Sequence, residues 1–128
     1  MTISLNQGMR SAEQEIIAKL NKVPSLIYEE LNTGWELGTT KDLPAMDDYC
    51  LFAVWVKGEN IPIIVFSYHN SIHFKGGSAL ITPTPQGYIY GIYGIRNGTE
   101  ITINYSGYQS VSTHTVTQKN IVRIWGII

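Results

Sequence analysis

The stretch from Tyr49 to Tyr68, which reads YCLFAVWVKGENIPIIVFSY, places the tightest constraint on the fold. Its two apolar runs, Leu51–Val56 and Ile61–Tyr68, are rich in Val, Ile, Phe and Trp, which suit packed strands. The polar, glycine-containing gap between them, Lys57 to Asn60, is typical of a β-hairpin turn. Neither run alternates cleanly between apolar and polar residues. This pattern predicts strands that are covered on both faces, at the centre of a sandwich.

Further short runs of strand-forming residues, separated by turn signals, raise the predicted number of strands to about nine or ten. These runs are Leu26–Leu31, Trp35–Thr39, Ile72–Lys75, Ser78–Thr82, Tyr88–Arg96, Thr99–Ser106, Ser110–Thr117 and Ile121–Ile128. Gly76-Gly77 predicts a turn, Asn97-Gly98 predicts a type I′ hairpin, and Gly107 predicts a strand end. The predicted fold is therefore mainly β, a jelly-roll-like β-sandwich preceded by a short N-terminal helix.

The helix is predicted from Ser11, where Ser11 to Gln14 fits a capping box, to Val23, because Pro24 disfavours helix at the residue before it. Its apolar positions are three or four residues apart and share one face: Met9, Ala12, Ile16, Leu20 and Val23. About three turns of helix are not stable alone in water. Residues 1–24 are therefore predicted to pack either on the β-rich domain, residues 25–128, or on copies of themselves in a short coiled coil.

Composition excludes several classes of protein. The chain has 128 residues, of which 44% are hydrophobic and 15% are charged, so a disordered body is not expected. A formal net charge of −1 gives no reason to expect nucleic acid or an anionic membrane as partner. Neither a signal peptide nor a membrane span is predicted from the pattern of apolar residues. The single cysteine, Cys50, is expected to be a small buried residue rather than a nucleophile.

No catalytic or metal-binding pattern stands out. His69 and His73 are four residues apart, which on a continuous strand separates them by roughly 13 Å, so we expect no metal and no cofactor. No nucleophile elbow, phosphate loop or dinucleotide motif is present. We expect no enzymatic activity, although two carboxylates brought together by the fold could still form a hydrolase site.

Aromatic residues at turn edges are the better candidates for ligand contacts. Aromatic side chains anchor interfaces at modest entropic cost, and sugars stack on aromatic faces while nearby amides and hydroxyls bind their oxygens. The chain has eight tyrosines and three tryptophans. The predicted ligand-binding residues are Trp35, Tyr68, Asn70, Tyr88 and Tyr108.

The layout resembles the C-terminal head domains of bacteriophage tail fibres and receptor-binding proteins. The features that carry the resemblance are the short helical stretch before Pro24, the hairpin from Cys50 to Tyr68, and the closing strand IVRIWGII. Many phage tail proteins end with a strand in which a basic residue, isoleucines and a glycine recur at fixed spacing. Val122, Arg123, Ile124, Gly126 and Ile127 fill such a frame here, and the resemblance covers roughly residues 30–128.

The resemblance implies a non-enzymatic homotrimeric head in the virion tail that binds a carbohydrate or protein on a bacterial surface, alongside other tail proteins. The residues expected at the oligomer interface are Met9, Ile16, Leu20, Val23, Ile124 and Ile127. Two other functions remain open: a purely structural tail or baseplate component, and a stand-alone lectin-like carbohydrate-binding module.

Overall fold

A computed structural model describes residues 24–68, 70–80 and 87–128. Within these ranges the chain is mainly β, which confirms that part of the predicted fold class. One 3-10 helix, Pro44–Asp48, accompanies nine strands: β1 Ser25–Glu29, β2 Thr40–Asp42, β3 Leu51–Val56, β4 Ile63–Phe66, β5 His73–Leu80, β6 Tyr88–Asn97, β7 Glu100–Ser110, β8 Val116–Gln118 and β9 Ile121–Gly126. The predicted helix, residues 11–23, lies outside the described residues.

The strands described here join into one antiparallel sheet rather than the two separate sheets expected of a sandwich. Their order is β1-β9-β3-β4-β5-β6-β7-β2, with β8 paired to β7. Gly76 maintains the continuity between β4 and β5, because a Cβ atom there would collide with the carbonyl oxygen of Ile64. The predicted turn at Gly76-Gly77 is therefore wrong, since both glycines lie inside β5 and allow neighbouring backbones to approach.

The segment between β1 and β2 draws the two ends of the sheet together. The backbone N–H of Trp35 donates to Ile121 in β9 at 2.6 Å, and that of Gly38 donates to Ile103 in β7 at 2.7 Å. The sheet therefore curls around one core. We call the side of the sheet that faces this core the inner face, and the opposite side the outer face.

The core forms from alternate residues of the strands, as the two-residue period of a strand requires. Its members are all at most 7% exposed: Trp35, Met46, Tyr49, Phe52, Val54, Val56, Ile63, Val65, Phe74, Tyr90, Ile92, Ile101, Ile103, Ile121 and Ile124. In β3, Phe52 and Val54 point to the core while Leu51 and Trp55 lie on the outer face, where they are half-buried. The predicted hairpin of β3 and β4 is confirmed, and its apolar outer residues explain the missing alternation.

The hairpin between β6 and β7 is also confirmed, but its turn type differs from the prediction. Asn97 pairs with Glu100, so Gly98 and Thr99 form the two-residue loop. Gly98 has φ +63°, whereas the φ angle of Thr99 is negative. Positive φ at the first loop residue alone corresponds to a type II′ turn.

Three other local predictions are wrong. Gly107, which was expected to end a strand, lies within β7, where it lets β8 approach: a Cβ at Gly107 would collide with the carbonyl oxygen of Thr117. The predicted strand Ser110–Thr117 is mostly a turn that leads into β8. Trp35 makes an isolated bridge to Ile121 instead of starting a strand, because its ring fills the core.

Candidate functional site

Two tyrosines on neighbouring strands form one wall of an open groove. Tyr88 begins β6 and Tyr108 lies near the end of β7, and their ring centroids are 5.3 Å apart at an angle of 85°. Both rings are half-buried and pack against the edge of the core. The groove has a volume of about 470 Å³, and its lining residues are Tyr88, Tyr108, Ser110, Ser112, Thr113, Thr115 and Thr117. We call it the tyrosine groove.

The hydroxyl-bearing wall of the tyrosine groove is the turn between β7 and β8. The N–H of Ser110 donates to Thr115 at 3.0 Å and the N–H of His114 donates to Ser110 at 2.9 Å, which closes the turn. His114 has φ +61°, a left-handed conformation that the two hydrogen bonds hold in place. The turn also joins the start of β6, because Val111 donates to the carbonyl of Gly87 at 2.9 Å. Its hydroxyls are therefore carried on a braced loop.

A third tyrosine anchors the pair from the core side. Tyr90 is 7% exposed, and its ring centroid lies 5.6 Å from that of Tyr108. Its hydroxyl donates to Oε2 of Glu59, in the turn between β3 and β4, at 3.4 Å. Burial and the neighbouring Glu59 carboxylate raise the pKa of Tyr90, so its phenol stays protonated and remains a donor. The tyrosine pair therefore packs on a buried, hydrogen-bonded side chain.

The chemistry of the tyrosine groove suits a neutral, hydroxyl-rich ligand. Aromatic rings offer an apolar face, and serine and threonine hydroxyls both donate and accept hydrogen bonds. Among the described residues that line the groove, none is a carboxylate, histidine, cysteine, lysine or arginine. These residues can therefore bind and orient a ligand, but they supply neither a nucleophile activated by a base nor a proton-transfer pair.

A second open groove, of about 300 Å³, lies at the turn between β3 and β4 and includes Glu59 in its lining. Its lining includes Trp55, Lys57, Asn60 and Arg123. The Arg123 guanidinium lies 5.8 Å from the centre of the Trp55 ring, and its Nε donates to Oε2 of Glu29 at 2.8 Å. Since this cation is already paired, the second groove carries a weaker argument for a ligand than the tyrosine groove does.

The five predicted ligand-binding residues fall in three places. Tyr88 and Tyr108 meet in the tyrosine groove. Trp35 is fully buried, and its indole N–H donates to the carbonyl of Thr39 at 3.0 Å, so its ring presents no surface to a ligand. Tyr68 is 56% exposed and lies against Phe66, and Asn70 is exposed in the turn that follows Tyr68. The last two residues therefore lie apart from the groove.

Two of the six residues predicted at the oligomer interface, Ile124 and Ile127, lie in the described part of the chain. Ile124 is fully buried in the chain's own core, where it pairs with Val54 and Tyr28 across β9, so it presents no surface to another copy. Ile127 is half-buried beside β3, where its N–H donates to Leu51 at 2.8 Å. The remaining four, Met9, Ile16, Leu20 and Val23, lie outside the described residues.

Sequence reasoning missed the hydroxyl wall and the role of Tyr90. The residues from Ser110 to Thr117 were expected to form a strand because they are β-branched, yet their pattern has no apolar face to bury. A run of hydroxyl residues next to a tyrosine could have suggested a binding wall. Nothing in the local sequence links Tyr90 to Glu59, because they are 31 positions apart.

The other end of the sheet carries a buried arginine whose contacts are structural. The Arg96 side chain is 0% exposed. It donates from Nε to the carbonyl of Gly98 at 2.8 Å, from one terminal nitrogen to the carbonyl and hydroxyl of Ser67 at 3.0 and 3.1 Å, and from the other to Asp47 at 3.3 Å. Burial lowers the pKa of Arg96, and Asp47 offsets part of that effect. Arg96 thus ties together the 3-10 helix, the segment after β4 and the β6–β7 turn.

Comparisons of the chain with protein families, with curated proteins and with solved structures found no match. Among the described residues, no group of three or more His, Cys, Asp and Glu side chains is placed to hold a metal ion. Within the same ranges, no helix has the length and apolar character needed to cross a membrane.

Proposed function

We propose that the chain is a non-enzymatic recognition module that binds a neutral carbohydrate in the tyrosine groove. The observation that carries the proposal is the meeting of Tyr88 and Tyr108 at 5.3 Å opposite a braced, uncharged wall of serine and threonine hydroxyls. A sugar has apolar C–H faces and a rim of hydroxyls. The C–H faces match the tyrosine rings, and the sugar hydroxyls match the serine and threonine hydroxyls of the groove.

The setting that we propose for this module is the head of a phage tail fibre, where it would attach the virion to a bacterial surface as a homotrimer. This part of the proposal rests on the sequence resemblance of the hairpin and the closing strand. The uncharged groove supports a glycan receptor more than an acidic or phosphorylated peptide, because such peptides are recognised by clusters of arginine, which the described lining lacks.

The direct test is a glycan array followed by calorimetric titration of the best ligand. Loss of one stacking ring costs on the order of 1.4 kcal/mol, so Tyr108→Ala is expected to raise Kd about tenfold. Tyr88→Ala is expected to act similarly, whereas Tyr108→Phe retains the ring and should lose less. Tyr68→Ala is the matched control, because Tyr68 is exposed but lies outside the tyrosine groove.

Equal weakening by Tyr68→Ala and Tyr108→Ala would contradict the groove assignment. A blank array together with no binding to host cells would instead favour a purely structural tail or baseplate component. Release of reducing ends from surface polysaccharide would favour a hydrolase and would overturn the non-enzymatic proposal.

A further inference from the structure

Four large apolar side chains are open on the outer face of the sheet, where β4, β5 and β6 lie side by side. They are Ile64, Phe66, Tyr93 and Ile95, which are 44%, 54%, 40% and 41% exposed. Each of them alternates with core residues of its own strand, so all four project from the outer face. We call these four residues the outer apolar patch.

The strand β5 joins the two halves of the outer apolar patch. Phe66 lies beside Lys75, because the residue before the first pairs with the residue after the second, and Lys75 pairs on its other side with Tyr93. His73 pairs with Ile95, and its ring centroid lies 6.0 Å from that of Tyr93. Neighbouring strands are about 4.8 Å apart, so only about 10 Å separates β4 from β6. The methylene stem of Lys75 and the His73 ring therefore connect the patch across β5.

The area of the outer apolar patch agrees with what an interface between chains needs. At roughly 100 Å² each, four half-exposed large side chains offer about 400 Å² of apolar surface. A small stable interface buries about 600 Å² per partner, of which about 65% is apolar when the partners are copies of one chain. The patch thus supplies the apolar area of such an interface on its own.

The lack of charge favours a copy of the same chain over a different protein. Lys75 is the only Lys, Arg, Asp or Glu among the described residues that point outward from β4, β5 and β6. Permanent interfaces between copies are apolar and poor in charge at their core, whereas transient interfaces are more polar. We infer that the outer apolar patch packs against another copy of this chain.

This surface deepens the proposed homotrimer, on which it rests, because it names where the copies meet. Ile124, which the sequence predicted at the interface, is buried in the chain's own core and cannot take that place. Phe66 and Tyr93 are the aromatic anchors of the patch, and aromatic anchors contribute most of the binding energy of an interface. A carboxylate at either position would be buried without a partner when two copies pack.

Size-exclusion chromatography with light scattering on the full chain tests the patch. Phe66→Glu and Tyr93→Glu are each expected to raise the dissociation constant of the assembly at least tenfold and to shift the mass toward one chain. Leu31→Glu is the matched control and should leave the mass unchanged. Leu31 is 56% exposed, close to the 54% of Phe66, but it follows β1, which β9 and β3 separate from β4.

A second measurement needs no substitution, so it holds even where a variant fails to fold. Hydroxyl-radical footprinting of the wild-type chain, read by mass spectrometry, gives the protection of each side chain relative to the unfolded chain. Phe66 and Leu31 are almost equally exposed in a single chain, so they would be equally protected if the patch were free. Several-fold stronger protection of Phe66 is expected.

The possible failures separate the patch from the proposed function. An assembly that survives both patch variants, equal disruption by Leu31→Glu, or equal protection of Phe66 and Leu31 would overturn the patch as an interface and leave the homotrimer standing. A wild-type mass of one chain at every concentration would overturn the patch together with the trimeric setting. Neither result bears on the tyrosine groove, whose glycan affinity has its own titration.

Discussion

Glu30 shows how one side chain can organise a turn at the residue scale. Its carboxylate accepts hydrogen bonds from the backbone N–H groups of Asn32, Thr33 and Gly34 and from the Thr33 hydroxyl. The hydrogen bond from that hydroxyl, followed by those from the backbone, lowers the pKa of Glu30 to about 2 from its ordinary value of 4.5. The charged form is therefore the one that the folded turn favours.

This depressed pKa predicts a pH dependence with a definite sign. The contribution of Glu30 to the free energy of unfolding is fully present above about pH 4.5 and is lost as the pH falls toward 2. Wild-type and Glu30→Gln proteins should therefore differ most in urea unfolding at pH 7 and converge as the pH falls from about 4.5 to 2. A difference that stays constant down to pH 2 would contradict the role of the charge. The carboxyl carbon shift, followed by NMR, gives the pKa of Glu30 directly.

Substitutions of Arg96 and of its ion-pair partner Asp47 are expected to lower stability by different amounts. Arg96→Met removes the donor to the carbonyl of Gly98 and leaves the carbonyl of the buried Ser67 unpaired, so it is expected to cost about 3 kcal/mol of unfolding free energy. The Asp47 side chain is 53% exposed, so Asp47→Asn should cost less than about 1 kcal/mol. Urea unfolding measures both values. Similar losses in the two variants would mean that the charge pair, rather than the carbonyl contacts, is what matters.

At the scale of elements, the junction of β4 and β5 determines whether the strands form one sheet. Gly76 faces the backbone of β4, where a Cβ has no room, whereas Gly91 in β6 has only ordinary contact, 3.6 Å from a ring carbon of Tyr105. The closeness of β4 cannot be read from the residues next to Gly76, since its partner Val65 lies 11 positions away on another strand. Glycine is therefore required at position 76 and replaceable at position 91.

Gly76→Ala is expected to lower the free energy of unfolding by about 1–3 kcal/mol, because the added methyl must push β4 away. Gly91→Ala is the matched control and should change stability by less than about 0.5 kcal/mol. Thermal unfolding followed by circular dichroism measures both variants. Equal effects would show that backbone entropy, and not the close approach of β4, accounts for the glycine at position 76.

At the scale of the whole molecule, the mass in solution tests the phage-head setting. That proposal predicts a particle of three 14.3 kDa chains in size-exclusion chromatography with light scattering. A mass of one chain would remove the trimeric head and leave a stand-alone lectin-like module, with the tyrosine groove intact.

The sequence by itself determined the β class, the hairpin of β3 and β4 and the place of the β6–β7 hairpin, because these follow from local periodicity and turn residues. It also predicted Tyr88 and Tyr108 as ligand-binding residues. Only the tertiary structure decided that they meet, since their contact depends on the register of β6 and β7. It likewise buried Trp35, placed Gly76 and Gly107 inside strands, and joined all the described strands into one curled sheet, because these outcomes depend on contacts between residues far apart in the chain.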